Sequence, residues 1–358
     1  MGLEGQGVGF DTDRNIYFVP GSVTGDRVLV ETTQVGRRYR DSQLVEVISP
    51  SPFRQTPICA HFPSCGGCDW LHMEYSEQLR SKEASLTHIL DRAGLSPTSR
   101  LPIVPSPRQL GYRNRVQLHF EGGRIGFHRR GSTVVIAIEK CAVACESINQ
   151  ELARLRSSLQ IRLEHKKVEL ISDEKGEVTG IFDSPQGGAG FTQVNREQND
   201  ALRDTLRMRV EEARAEKVLE LYCGDGNLTS VYFERVQQVV GIDNNHLAIE
   251  KAVRRIPSER SHFIVDAIGV QTPKKLPRGF SYDTLILDPP RSGIGKALES
   301  FLHDNLKNII YVSCSPLSFS MDTKRLAERG FALNSLQPID MFPHTHHLEI
   351  VAYFSRVF

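Results

Sequence analysis

From Lys217 onward the chain repeats one pattern, a short apolar, β-branched run that stops on a polar residue and is followed by a stretch of helical character. Lys217-Val-Leu-Glu-Leu-Tyr222 runs into Cys223-Gly224-Asp225-Gly226-Asn227, and Val239-Val-Gly-Ile242 runs into Asp243. His262-Phe-Ile-Val265 ends on Asp266, Thr284-Leu-Ile-Leu287 on Asp288, and Ile309-Ile-Tyr-Val312 on Ser313-Cys314. Such alternation leaves few folds open, because parallel strands need crossover helices packed on the faces of their sheet. It predicts an α/β fold with a Rossmann-like sheet in the last part of the chain. Ligands of open α/β sheets bind beyond the carboxyl ends of the strands, so the terminating residues are the first candidates for chemistry.

Gly224 and Gly226 let a backbone turn approach a ligand, and a helix starting near Leu228 offers N–H donors. Asp243, ending the second strand, can take both hydroxyls of a ribose. The turn has neither a third glycine nor the lysine of a phosphate loop, which favours S-adenosylmethionine over a dinucleotide or a triphosphate. Asp266 is placed to meet the adenine. Pro289-Pro290 fix the backbone just past a strand end, so Asp288 is pre-organised beside a methyl donor. Cys314 faces the same cleft and reads as a nucleophile rather than as a small buried hydrophobe. Asp340-Met-Phe-Pro-His344-Thr-His346-His347-Leu-Glu349 reads as a polar loop entering a last apolar strand, Ile350 to Phe354.

At 358 residues the chain is long enough for two or three domains of ~150 residues. Short strands with glycine punctuation over residues 1–50 predict a small β-barrel of a kind that binds nucleic acid. Lys and Arg number 44 against 43 Asp and Glu, so if the partner is nucleic acid its grip must come from local clusters. Arg37, Arg38 and Arg40 with Tyr39 form one. A hairpin carries another, with Arg113, Arg115, Arg129 and Arg130 interleaved with Tyr112 and Phe127. No apolar run reaches the ~20 residues of a membrane span, and the first residues lack a signal-peptide pattern, so a cytoplasmic protein is expected.

Seven cysteines without an export signal suit metal ligation or catalysis better than disulfides. Cys59, Cys65 and Cys68, with Gly66-Gly67 between the last two, read as three ligands of one metal centre. Cys141 or Cys145 would supply a fourth. Thiolate ligation fits a structural zinc or an iron–sulfur cluster, and a lone CxxC with a third cysteine upstream favours the cluster. The loose Pro185-Gln-Gly-Gly-Ala-Gly190 stretch reads as a boundary. Three segments result: 1–50, the barrel; 51–187, a mixed α+β domain with the cysteine site; and 188–358, the Rossmann-like domain.

Asp288-Pro-Pro-Arg-Ser-Gly293, Tyr311-Val-Ser-Cys314 and Asp340-Met-Phe-Pro-His-Thr-His-His-Leu-Glu349 together resemble the RNA 5-methyluridine methyltransferase family, as do Gly111-Tyr-Arg-Asn-Arg115 and Phe191-Thr-Gln193-Val-Asn195. The resemblance covers nearly the whole chain. It implies a class I methyltransferase domain, an amino-terminal segment similar to the TRAM domain, and a [4Fe-4S] cluster on Cys59, Cys65, Cys68 and Cys141. It places Gln193, Tyr222, Asn227, Asp243 and Asp288 on donor-binding positions, Cys314 on the nucleophile and Glu349 on the base. The expected substrate is a uridine of rRNA before tRNA, and the expected protein is a monomer. Ser315 departs from the family's asparagine.

The chemistry agrees. Carbon 5 of uracil is a poor nucleophile toward a methyl sulfonium until a thiolate adds at carbon 6 and makes the ring an enolate. The proton on carbon 5 must then leave to a positioned base before the thiol is eliminated. The base must be flipped out of any stack. Two other readings compete: an amino methyltransferase, which needs an aromatic where Arg291 stands and no thiol, and a cluster-bearing RNA-binding or redox-sensing module with an inert fold.

Overall fold

The computed structural model describes residues 1–184 and 192–357, with Leu159 and Arg162 described by their backbone alone. Phe191 and the stretch 185–190 read as a boundary lie outside the described residues. Contacts divide the chain into two units: Met1–Ser85 with Pro107–Gly188 and Phe342–His346, and Leu86–Ser106 with Ala189–Met341 and His347–Phe358.

The first unit opens with β1 (Gly7–Phe10), β2 (Ile16–Val19), β3 (Arg27–Val35) and β4 (Arg40–Ser49), a sheet ordered β1-β2-β4-β3. Beneath it Val23, Trp70 and Met73 form a small core, and the Trp70 indole donates to the Gly5 carbonyl at 2.7 Å. A long helix, α1, spans Tyr75–Ala93, and the two-residue strand β5 is Ser99–Arg100. The expected hairpin is β6 (Arg115–Glu121) and β7 (Arg124–His128), extended by β8 (Val135–Ala137). After α2 (Glu146–Ser157) and α3 (Leu159–Glu164), β9 (Lys167–Ser172) and β10 (Val178–Phe182) complete a five-stranded antiparallel sheet, ordered β10-β9-β6-β7-β8. Alternation decides its faces: Val116, Leu118 and Phe120 of β6 point inward with Val168 and Leu170 of β9, onto Ile148, Leu152 and Leu155 of α2.

In the second unit α4 (Arg196–Ala213) leads into β11 (Lys217–Leu221), α5 (Thr229–Tyr232), β12 (Gln238–Asp243), α6 (His246–Arg255), β13 (Ser261–Val265), β14 (Thr284–Leu287), β15 (Asn308–Ser313), α7 (Pro316–Glu328), β16 (Phe331–Ile339) and β17 (Glu349–Arg356). With β5 the strands form an eight-stranded sheet ordered β13-β12-β11-β14-β15-β17-β16-β5. The five strands from β13 to β15 are parallel, while β17 runs antiparallel to both β15 and β16. β14 and β15 are buried at every position, which is why they read as unbroken apolar runs. Among the described residues no helix is long and apolar enough to cross a membrane.

Candidate active site

The sheet order reverses between β11 and β14, a switch point where adjacent crossovers leave in opposite directions and open a crevice. Past the end of β11 the chain turns sharply: Tyr222 has φ +64°, Gly224 +54° and Gly226 +76°. Glycine takes such angles freely, whereas Tyr222 does so at a cost, held by its own and Cys223's N–H on the Ile242 carbonyl at 2.8 and 3.1 Å. The turn is tied to the next strand because Gly224 N–H donates to Asp243 Oδ2 at 3.0 Å. Asn245 N–H donates to Asp243 Oδ1 at 2.8 Å. Each oxygen keeps a second lone pair, so a carboxylate fixed in this way can still accept two hydroxyl groups. The amides of Asn227 and Asn199 pair reciprocally at 2.8 and 3.2 Å, orienting Asn227. Gln193 lies half-buried in the segment entering α4. The carboxylate of Asp266, read as placed to meet the adenine, is engaged by Lys275 and, at 2.8 Å, by the Thr272 hydroxyl, contacts that shape the loop following β13.

At the other side of the crevice β15 delivers Cys314. Because β17 is antiparallel to it, with Ser313 paired to Ile350 as the last pair, Cys314 and Glu349 flank the same end of the ladder, close enough for the Glu349 charge to act on the thiol. Burial, then the charges of Glu349 and Asp288, push the Cys314 thiol up to about 11, while Arg291 opposes them. Glu349 is buried, and burial followed by Asp288 raises its carboxyl well above the usual range, again against Arg291. Asp288 is pushed up to about 7 by burial, Glu220 and Asp243. The crevice thus brings together a thiol, two carboxyls raised above the usual carboxylate range, and one guanidinium.

Glu220, Asp322 and Gln198 are supporting residues that escape the sequence reading, and Asn195, quoted there only within a motif, joins them. Glu220, fully buried inside β11, accepts the Thr229 hydroxyl at 2.7 Å and the Tyr232 hydroxyl, and burial lifts it to about 7. A charged residue in a buried parallel strand was its signal. Asp322 of α7 accepts the Tyr311 hydroxyl at 2.7 Å and the N–H groups of Ile294 and Gly295 at 3.0 and 3.1 Å. It pins the loop after Asp288, and a Cβ on Gly293 would stand 2.6 Å from its Oδ2. Its signal was an acid on the apolar face of Phe319 and Leu326, at the i+3 position. Asn195, the α4 N-cap, donates to the Met341 carbonyl at 3.3 Å, and Gln198 to that of Asp340 at 3.0 Å. Together they anchor the backbone of the histidine-rich motif. That motif is not simply polar and exposed, since His344 and Thr345 are buried.

In the first unit Cys59, Cys65, Cys68 and Cys141 line one cavity with Phe62, Leu71, Val116, Phe127, Ile138 and Arg113. Their free thiols sit uncomfortably there: burial and one another's charge push Cys68 up to about 12 and raise Cys65. Asn149 clamps the loop that carries Cys141, accepting its N–H at 2.8 Å and donating to its carbonyl at 3.1 Å. Cys145 instead caps α2 and contacts the Ser147 hydroxyl. Among the described residues no group of three or more His, Cys, Asp or Glu converges closely enough to hold a single ion. Several arginines read as phosphate contacts also have protein partners: Arg115 pairs with Glu169 at 2.6 Å, Arg130 with Asp69 at 2.6 Å, and Arg40 with Asp11 at 3.4 Å. Arg37 and Arg38 are exposed beside Tyr39.

Comparison with known proteins gives this geometry a family. The profile of the family described as tRNA (Uracil-5-)-methyltransferase matches residues 275–357, the stretch that holds Asp288, Cys314 and Glu349. An uncharacterized RNA methyltransferase of Bdellovibrio bacteriovorus is 30% identical over 352 residues, covering 94% of this chain and 88% of that protein. A 23S rRNA (uracil(1939)-C(5))-methyltransferase of Shewanella woodyi is 29% identical over 406 residues, covering 95% and 90%. The crystal structure of the Pyrococcus abyssi tRNA (uracil-54, C5)-methyltransferase with S-adenosyl-L-homocysteine aligns with a TM-score of 0.75 over 98% of this chain and 100% of that one, at 24% identity, a likeness of fold. Matched nearly end to end by these relatives, the chain belongs to the RNA uracil-5-methyltransferase family.

Proposed function

We propose that this S-adenosylmethionine-dependent enzyme methylates carbon 5 of a uridine in rRNA through a covalent Cys314 adduct resolved by Glu349. The observation that carries the reading is the antiparallel pairing of β15 with β17, which sets a buried carboxyl beside a thiol at the mouth of the crevice. The Cys314 thiolate adds to carbon 6 of the uracil, and carbon 5 takes the methyl group from the sulfonium, which leaves as S-adenosylhomocysteine. The Glu349 carboxylate then removes the proton on carbon 5, and the carbon–sulfur bond breaks to return the thiolate. Burial disfavours the charged form of both groups, and Arg291 is a cation that favours their charged, reactive forms. Gln193, Tyr222, Asn227, Asp243 and Asp288 are assigned to the donor, Asp243 to its ribose hydroxyls. The rRNA target is supported by relatives named for 23S rRNA that match more than nine-tenths of this chain.

A [4Fe-4S] cluster is assigned to Cys59, Cys65, Cys68 and Cys141. The chemistry of the lining supports it: four half-buried thiols around an apolar cavity with one guanidinium would suit an anionic thiolate-held cluster. Residues 1–50 are assigned to RNA, with exposed Arg37, Arg38 and Tyr39 as contacts. The test is Cys314→Ala with labelled donor and rRNA or tRNA fragments. Turnover should vanish while donor affinity persists, because the thiol meets only the uracil; substantial uridine methylation by the variant would exclude the covalent route, and preference for tRNA would exclude the rRNA assignment.

A further inference from the structure

Among the described residues Arg291 is the cation that acts on both Cys314 and Glu349, yet it is exposed and its side chain is long. Such a side chain has many rotamers and does not hold one position unaided. The loop bearing it is already fixed at its far end, where Asp322 accepts the N–H groups of Ile294 and Gly295. Its near end has a different tie: Arg291 Nη2 lies 3.0 Å from Nε2 of His347. A guanidinium can only donate, so this contact requires the imidazole Nε2 to accept, the tautomer that carries its proton on Nδ1. His347 stands two residues before Glu349, with Leu348 buried between them, so it is anchored to the start of β17 while its ring meets the guanidinium.

We propose that His347 is a positioning residue for methyl transfer, whose neutral ring fixes the Arg291 guanidinium near the Cys314 and Glu349 pair. The proposal rests on the assignment of Cys314 as nucleophile. His347 touches no reacting atom; it acts through Arg291, and an imidazole protonated on both nitrogens would lose the contact.

The experiment is a double-mutant cycle of His347→Leu and Arg291→Met, with His347→Gln as the variant that keeps an acceptor. Two readouts are taken: steady-state methylation, and the pH profile of Cys314 alkylation in RNA-free enzyme, followed on the Cys314 peptide by mass spectrometry. His347→Leu should lower kcat by about tenfold to a hundredfold, the scale of a misplaced catalytic group, with donor KM little changed. It should move the alkylation profile to higher pH, because the guanidinium no longer favours the thiolate. In the Arg291→Met background the same change should have little further effect on either readout, and His347→Gln should restore part of both. Equal effects of His347→Leu with and without Arg291, or none in wild type, overturn the proposal. Should Cys314→Ala stay active, the nucleophile assignment fails separately, and the alkylation cycle still decides whether His347 acts through Arg291.

Discussion

Titration of Cys314 in the resting enzyme tests the electrostatics of the crevice directly. With the thiol pushed up to about 11, chiefly by burial and then by Glu349 and Asp288, the thiolate fraction at pH 7 is on the order of 10⁻⁴, against ~10⁻² for an unperturbed thiol. Making the thiolate at pH 7 therefore costs about 5 kcal/mol. Alkylation by iodoacetamide should rise about tenfold per pH unit from pH 7 to pH 10, with no plateau, while a surface thiol levels off near its ordinary pKa. The assay is timed trapping at fixed reagent, with the Cys314 peptide quantified against a small-molecule thiol. A plateau at or below pH 8 would refute the reasoning: the thiolate would then be stored at rest, and the opposing carboxyls would not govern the site. The expected profile assigns thiolate formation to the bound complex, where uracil displaces water and a guanidinium is at hand.

For Glu349→Gln, methyl transfer can precede the missing deprotonation, so an RNA-linked protein band should persist on a denaturing gel; donor consumption with no such band would count against Glu349 as the base. Glu220→Gln should flatten the pH dependence of stability. The native carboxyl is raised from 4.5 to about 7, so its stabilising effect is complete below the unfolded value and is lost as pH rises toward 7, roughly 3 kcal/mol in all. Urea unfolding at pH 5 and pH 8 should show a smaller difference for the variant, and an unchanged difference would sink the idea. Anaerobically purified protein should contain iron and acid-labile sulfide with a broad visible absorption that Cys65→Ser removes, whereas stoichiometric zinc without iron would overturn the cluster.

Much of the catalytic unit was legible in the sequence because the information is local. A buried parallel strand must be an apolar run, and the residue that ends it must lie at the rim of the sheet, so Asp243, Asp288 and Cys314 could be named from their neighbours alone. Glu349 was a different case. Its motif carried a family resemblance, but only the reversal of β17 sets it beside Cys314, and strand direction is decided by how the whole sheet packs. The same holds for side chains that read identically on paper. Arg115 and Arg130 looked like Arg37 and Arg38, yet the first two are paired to Glu169 and Asp69 while the others face solvent. Asp266 read as a ligand contact, and nothing in its neighbours told that Lys275 and Thr272 also engage it. His347 was one of three neighbouring histidines until Arg291 met its ring. Hydrogen bonds and ion pairs join residues tens or hundreds of positions apart, and which polar groups meet is settled only when the apolar core has brought their strands and loops together.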